Sequence, residues 1–155
     1  MENLDLLPDQ LAVDSLGAPS FPSPLGLSTV YGDGIANYVD DRQTVLLQHD
    51  RDEVVRRLRG GGHLPAFQAA GPRQKIWFDP ATTRAAIVTC GGLCPGINTV
   101  VRTLVMELHY RYNVRSILGI RYGYRGFIPR YGYEPVELTP DLVKSIHEQG
   151  GSFLS

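Results

Sequence analysis

Residues 84–112 carry the strongest constraint on the fold. Ala85-Ala86-Ile87-Val88-Thr89 is a continuous, mostly apolar run. Such a run is expected of a strand buried on both faces, as in a parallel sheet. It leads directly into Cys90-Gly91-Gly92-Leu93-Cys94-Pro95-Gly96, a stretch that no regular element tolerates. Beyond it, Ile97, Val100, Val101, Leu104, Val105, Leu108 and Tyr112 recur at spacings of three and four. That pattern predicts an amphipathic helix ended by Asn113. Val114 to Ile120 then predicts a second strand. Strand, helix and strand make a βαβ unit, so the fold class is α/β, of the doubly wound, Rossmann-like parallel-sheet type.

The sheet predicted in this way is incomplete. After a Tyr- and Gly-rich loop from Arg121 to Tyr133, Thr139 offers an N-cap and Pro140 suits the first helical position. Leu142, Val143 and Ile146 supply an apolar face, and Gly150-Gly151 stop the helix. Two strands and two helices cannot cover both faces of a parallel sheet, which normally needs both covered. We therefore expect residues 80–155 to be the first part of a nucleotide-binding domain. Residues 1–79 read differently, as an irregular N-terminal extension. Pro8, Pro19, Pro22 and Pro24 break its periodicity. Only Thr44 to Gln48 suggests a strand and Asp52 to Arg59 a short helix, stopped by Gly60-Gly61-Gly62. Its apolar residues are too sparse for a core of its own.

Composition excludes several functions. The formal charge is −1 with no basic block, whereas a nucleic-acid surface needs clustered Lys and Arg. No apolar run approaches the roughly 20 residues that span a bilayer. Met1 to Asp9 is acidic and lacks the features of a secretory signal, so a soluble cytoplasmic protein is expected. Cys90 and Cys94 form no disulfide framework and no zinc signature, and reduced cysteines are expected. His49, His63, His109 and His147 lack metal-ligand spacing. His109 and His147 read as solvated or edge-packed helix residues.

The loop after the first strand is where this fold class binds ligands. Gly91 and Gly92 carry no side chain, so backbone amides can approach a phosphate closely. Gly96 permits a tight turn into the helix, whose N-terminus favours an anion. The loop is neither a Walker A sequence nor G-x-G-x-x-G. Backbone physics alone leaves phosphate binding and a merely structural turn both open.

The residues Ile87 to Asn98, with Arg102 one turn on, resemble the first strand–loop–helix of 6-phosphofructokinases. Cys-Gly-Gly-Leu-Cys-Pro-Gly is similar to the ATP-dependent plant and kinetoplastid-type branch of that family. Three further blocks agree: Ala70-Gly71-Pro72-Arg73 with Ile76-Trp77-Phe78, Gly119 to Phe127, and Gly150 to Leu154. The resemblance covers roughly residues 70 to 155, with a fainter similarity over 20 to 50.

That resemblance implies phosphoryl transfer from Mg-ATP to the 1-hydroxyl of fructose 6-phosphate, giving fructose 1,6-bisphosphate in glycolysis. It implies that Gly92, sharing a backbone turn with Gly91, contacts the ATP phosphates. Tyr124 would lie beside the nucleotide or serve as a structural loop tyrosine. Arg102 aligns with an effector-binding arginine of bacterial relatives, and a solvated helix-face arginine is the reading preferred here. The family's Mg-binding Asp, its general base and its sugar-phosphate site would all follow Ser155. No catalytic residue and no metal ligand is therefore expected within this chain, which alone should be inactive. The resemblance also implies a homotetramer. Two alternatives are a pyrophosphate-dependent phosphofructokinase and a non-catalytic short protein, or truncated product, that binds a partner subunit.

Overall fold

The structure, a computed structural model, describes residue 11, residues 14–92 and residues 94–155. The chain divides into two compact units, Met1–Trp77 and Phe78–Ser155.

The first unit contains β1 (Phe21–Pro22), β2 (Thr44–Leu46), α1 (Arg51–Arg59), β3 (Ala66–Gln68) and β4 (Lys75–Ile76). β1 pairs with β4 and β2 with β3, both antiparallel. The carboxylate of Asp50 caps α1 by accepting the Glu53 amide at 2.9 Å, and Gly60 closes the helix. Acids occupy its first turn and arginines its last, as the helix dipole favours. No residue of α1 is buried. Val45 faces Phe67 across the β2–β3 ribbon, and both are exposed. Among the described residues of this unit only Pro65 and Ala69 are buried. Polar contacts take the place of a core. The Arg73 guanidinium donates to the carbonyls of Val39, Asp40 and Ala69 and lies 3.6 Å from the Asp41 carboxylate.

The second unit contains β5 (Arg84–Val88), α2 (Ile97–Met106), β6 (Ser116–Ile120), β7 (Val136–Glu137) and α3 (Pro140–Val143). β5 and β6 are parallel, paired from Arg84 with Ser116 to Val88 with Ile120. α2 forms the crossover between them, so the α/β class holds. Thr139 caps α3 as expected, its hydroxyl accepting the Leu142 amide at 3.2 Å. β7 was not expected: it adds to β6 antiparallel, too short to show a period in sequence.

The core gathers Val101, Val105, Val114, Ile117, Leu138, Val143, Ile146 and Leu154, with Ala85 and Ile87 packed against it. The predicted helical stripe is narrower than its spacing suggested. Val105 is fully buried, but Val100 and Leu104 are 53% and 45% exposed. The reason lies in the sheet. Among the described residues no strand pairs with the other edge of β5, so half of an apolar stripe built for a wider sheet meets solvent. The helix also ends sooner than expected. Residues Glu107–Arg111 open into a π-helical turn, and Asn113 takes a left-handed conformation at φ 59°. Among the described residues no helix is long and apolar enough to cross a membrane.

Candidate functional site

The register of the parallel pair determines where the site forms. Val88 lies level with Ile120, so the segments after β5 and β6 leave from the same edge of the sheet. The two segments touch. Gly123 is in the left-handed region at φ 58°, and a Cβ there would lie 3.3 Å from both the Cys90 sulfur and the Thr89 carbonyl oxygen. Glycine thus lets the second segment seat against the base of the first.

In the loop after β5, Gly91 has φ 105°, a conformation that side chains rarely adopt. Neither Gly91 nor Gly92 has an atom within 4 Å of where a Cβ would be, so their backbone faces open space. Gly96, at φ 84°, occupies the N-cap position of α2 and brings no side chain to the first turn. The first amides of a helix lack intrahelical acceptors; here the Ile97 amide donates to the Cys94 carbonyl at 3.2 Å, and the glycine cap brings no side-chain acceptor to the amides that follow. Leu93 lies outside the described residues.

A third segment closes the arrangement. Gln149 to Ser155 folds back over the strand ends. The Tyr122 amide donates to the Leu154 carbonyl at 2.8 Å, and the Thr89 and Ser152 hydroxyls are 3.2 Å apart. Asn98 is 4% exposed and the one buried polar residue among those described. Its Nδ2 donates to the Gln149 carbonyl at 3.1 Å, and its Oδ1 accepts the Phe153 amide at 2.8 Å. Leu154 can pack over β6 only because position 119 is glycine, where a Cβ would lie 2.6 Å from its Cδ2. Between α2 and this segment lies a cavity of about 300 Å³, lined by Cys94, Gly96, Asn98, His147, Gly150 and Gly151 among others.

The residues proposed from sequence are distributed unevenly over this edge. Gly91 and Gly92 lie in the loop beside the cavity without lining it. Tyr124 sits in a 3-10 turn spanning Gly123–Phe127, is 73% exposed and does not reach the cavity. The Nε of Arg102 donates to the Lys144 carbonyl at 3.2 Å, tying α2 to the end of α3. Cys90 and Cys94 are free and exposed, as reduced cysteines would be. His147 belongs to a 3-10 turn and lines the cavity, where a solvated helix position was expected. Asn98 had drawn no role from sequence. An asparagine two residues past a helix-starting glycine is the available signal, but its partners lie 51 and 55 residues away.

Backbone donors suit the oxygen-rich phosphates of a nucleotide. They do not suit Mg2+, which takes carboxylate and water oxygens. Among the described residues no group of three or more His, Cys, Asp or Glu is placed to hold a metal. The phosphate part of Mg-ATP fits these residues and the ion does not.

Comparison with known proteins points to one family. The family model described as Phosphofructokinase matches residues 84–155. An ATP-dependent 6-phosphofructokinase of Amycolatopsis methanolica is 42% identical over 146 residues, 94% of this chain and 32% of that protein. One from Entamoeba histolytica is 53% identical over 87 residues, 56% of this chain and 20% of that protein. The ATP-dependent 6-phosphofructokinase 4, chloroplastic, of Arabidopsis thaliana is 43% identical over 137 residues, 88% of this chain and 24% of that protein. The chain spans about a third or less of the length of these relatives.

Proposed function

The chain belongs to the phosphofructokinase family through residues 84–155, and we propose that it supplies the donor-phosphate wall of an ATP-dependent 6-phosphofructokinase. The reaction would move the γ-phosphoryl group of ATP to the 1-hydroxyl of fructose 6-phosphate. One observation supports this reading above others. The open Gly91-Gly92 turn, the glycine-capped start of α2 and the Gly150-Gly151 turn converge on the edge where both parallel strands end. Gly91 and Gly92 would present amides to the phosphates, and Tyr124 on the adjoining turn would lie beside the base or ribose.

Phosphoryl transfer depends on positioning and on neutralising charge at the transferred group. The described residues contribute the first and only backbone dipoles toward the second. A metal ion, a general base and a sugar-phosphate site would have to come from elsewhere in the complete enzyme, so the 155-residue chain alone would not turn over. The bond from Arg102 to the Lys144 carbonyl favours a structural over an effector role for that residue. We take residues 1–79 as an extension and residues 80–155 as the first part of the nucleotide-binding domain. A cytoplasmic homotetramer is the expected setting of the complete enzyme.

Calorimetric titration of the chain with ATP, and separately with pyrophosphate, tests the donor. Binding of ATP that Gly92→Ala weakens is expected. Binding of pyrophosphate alone would favour the pyrophosphate-dependent alternative, and no binding of either would end the nucleotide reading. A coupled assay with fructose 6-phosphate should show no turnover, and measurable product would refute the division of labour. The edge of β5, on which no described strand pairs, and the exposed Val100 and Leu104 support a second reading, a non-catalytic chain that docks on a partner subunit.

A further inference from the structure

We infer that Asn98 is the positioning residue of this site, clamping the Gln149–Phe153 turn to the phosphate-loop helix. The inference rests on the proposed function for what the site binds, but not for the clamp itself.

The argument begins with burial. A carboxamide carries two donors and an acceptor, and burying it is unfavourable unless these find partners. Asn98 is 4% exposed, at the second position of α2, where alanine or leucine would pack without that requirement. It satisfies both ends of its amide on a single distant segment, bonding the Gln149 carbonyl with one end and the Phe153 amide with the other. Those two bonds bracket Gly150, Gly151 and Ser152. Gly151 is held at φ 82°, and a Cβ on either glycine would meet no atom within 4 Å, so packing around the two glycines does little to locate the turn. The bracket provides the location instead. The Thr89–Ser152 contact and the Tyr122–Leu154 bond fasten the same segment to the other two loops. From α2 the Asn98 pair reaches the turn itself by hydrogen bonds, while Leu154 beyond it joins Val101 and Val105 in the apolar core.

The consequence is geometric. Gly96 and Asn98 line one wall of the cavity, and Gln149, Gly150 and Gly151 line the other. The two walls share Asn98 as their tie, so the side chain fixes their separation. Loss of the bonds would release the turn while leaving the apolar core intact, because Asn98 takes no part in that core.

Two variants test this through hydrogen exchange. Asn98→Ala removes both bonds, and amide protection at Phe153 should fall by about tenfold or more relative to wild type. Residues of β6 should keep theirs. Asn98→Asp keeps the shape but loses the donor when ionised. A buried carboxylate facing the Gln149 carbonyl has its pKa raised, so the protonated form, which can donate, predominates only at lower pH. The carboxylate still accepts the Phe153 amide, so that amide should keep its protection, whereas the Gln149 amide, at the end that has lost its partner, should show a deficit that is large near about pH 8 and shrinks near about pH 5. The charged and titratable groups on the neighbouring elements include Cys94 in the loop before α2, His147 and Glu148 on the 3-10 turn, Asp141 and Lys144 at α3, and Arg102 on α2. Wild type shares them all, so the variant-to-wild-type ratio removes their contribution. An unchanged Phe153 amide in Asn98→Ala, a uniform loss across the unit, or a Gln149 deficit independent of pH in Asn98→Asp would overturn the inference. If Asn98→Ala fails to fold, the pH dependence of Asn98→Asp still decides.

ATP titration separates the clamp from the function. Affinity of Asn98→Asp should be reduced near about pH 8 and recover near about pH 5. If wild type binds ATP and the variant binds equally at both values, Asn98 does not position the site. If the exchange results hold but wild type binds no ATP, the proposed function fails and the clamp stands.

Discussion

Gly91 and Gly92 are neighbours under different constraints. At Gly91 the positive φ demands glycine, so Gly91→Ala should destabilise the chain by about 1–3 kcal/mol, measured by urea unfolding. Gly92 lies outside the left-handed region and has open space around it. Gly92→Ala should leave stability within about 0.5 kcal/mol. Its added methyl group would keep a phosphate from the backbone, and one lost bond to a charged group, worth about 1.5–3 kcal/mol, should weaken ATP binding by about tenfold or more. Equal losses of stability in the two variants would show that the turn is structural only. In the other unit, Asp40 offers a residue-scale test by pH. Its carboxylate accepts from the Arg42 guanidinium at 3.1 and 3.2 Å and from the Arg42 amide at 2.8 Å. These bonds lower its pKa to about 2. A lowered folded-state value means the contribution is present above the ordinary value near about 3.9 and lost as pH falls through about 2. NMR titration should place the Asp40 midpoint near that low value, and Arg42→Ala should return it toward the ordinary one. Both side chains are exposed, so little change in global stability at neutral pH is expected.

At the scale of elements, α2 shows how an apolar repeat can be divided by its surroundings. Val100 and Val105 belong to the same stripe in sequence, yet one is largely in solvent and the other fully buried. Val105→Ala should cost about 1–3 kcal/mol through the cavity it leaves. Val100→Ala should stay within about 0.5 kcal/mol. Similar losses from both would mean that Val100 is covered in solution, which would favour the partner-docking reading. The helix was legible because its spacing needs only local sequence. Its π-helical end was not, because the wider turn at Glu107–Arg111 precedes a left-handed Asn113 that local spacing does not reveal. β7 escaped notice for a similar reason. Two residues define no alternation, and pairing with Leu118 and Gly119 is what makes Val136 and Glu137 a strand.

For the whole molecule, apolar content separates the two units. The first has only Pro65 and Ala69 buried among its described residues and is held by polar contacts such as those of Arg73. The second has a contiguous core of eight buried apolar residues. A polypeptide of residues 78–155 should therefore retain helical circular dichroism and a cooperative thermal transition, whereas residues 1–77 alone should melt without one. A cooperative transition from residues 1–77 would contradict the reading of that region as an extension. The parallel pair ends level at one side of the sheet, and that is where the proposed phosphate site lies.

By itself the sequence determined the strand–loop–helix–strand order, the glycine turn at Gly91-Gly92, the glycine stop of α1, the Thr139 cap of α3 and the sparse apolar content of residues 1–79. Each of these depends on neighbours within a few positions, through backbone conformation, capping or periodic burial. The tertiary structure decided what local spacing cannot carry. It left Val100 and Leu104 exposed because no described strand widens the sheet past β5. It placed Tyr124 away from the cavity and brought His147 into its lining. It also gave Asn98 its partners at Gln149 and Phe153, since a bond across more than 50 residues exists only once the chain has folded back on itself.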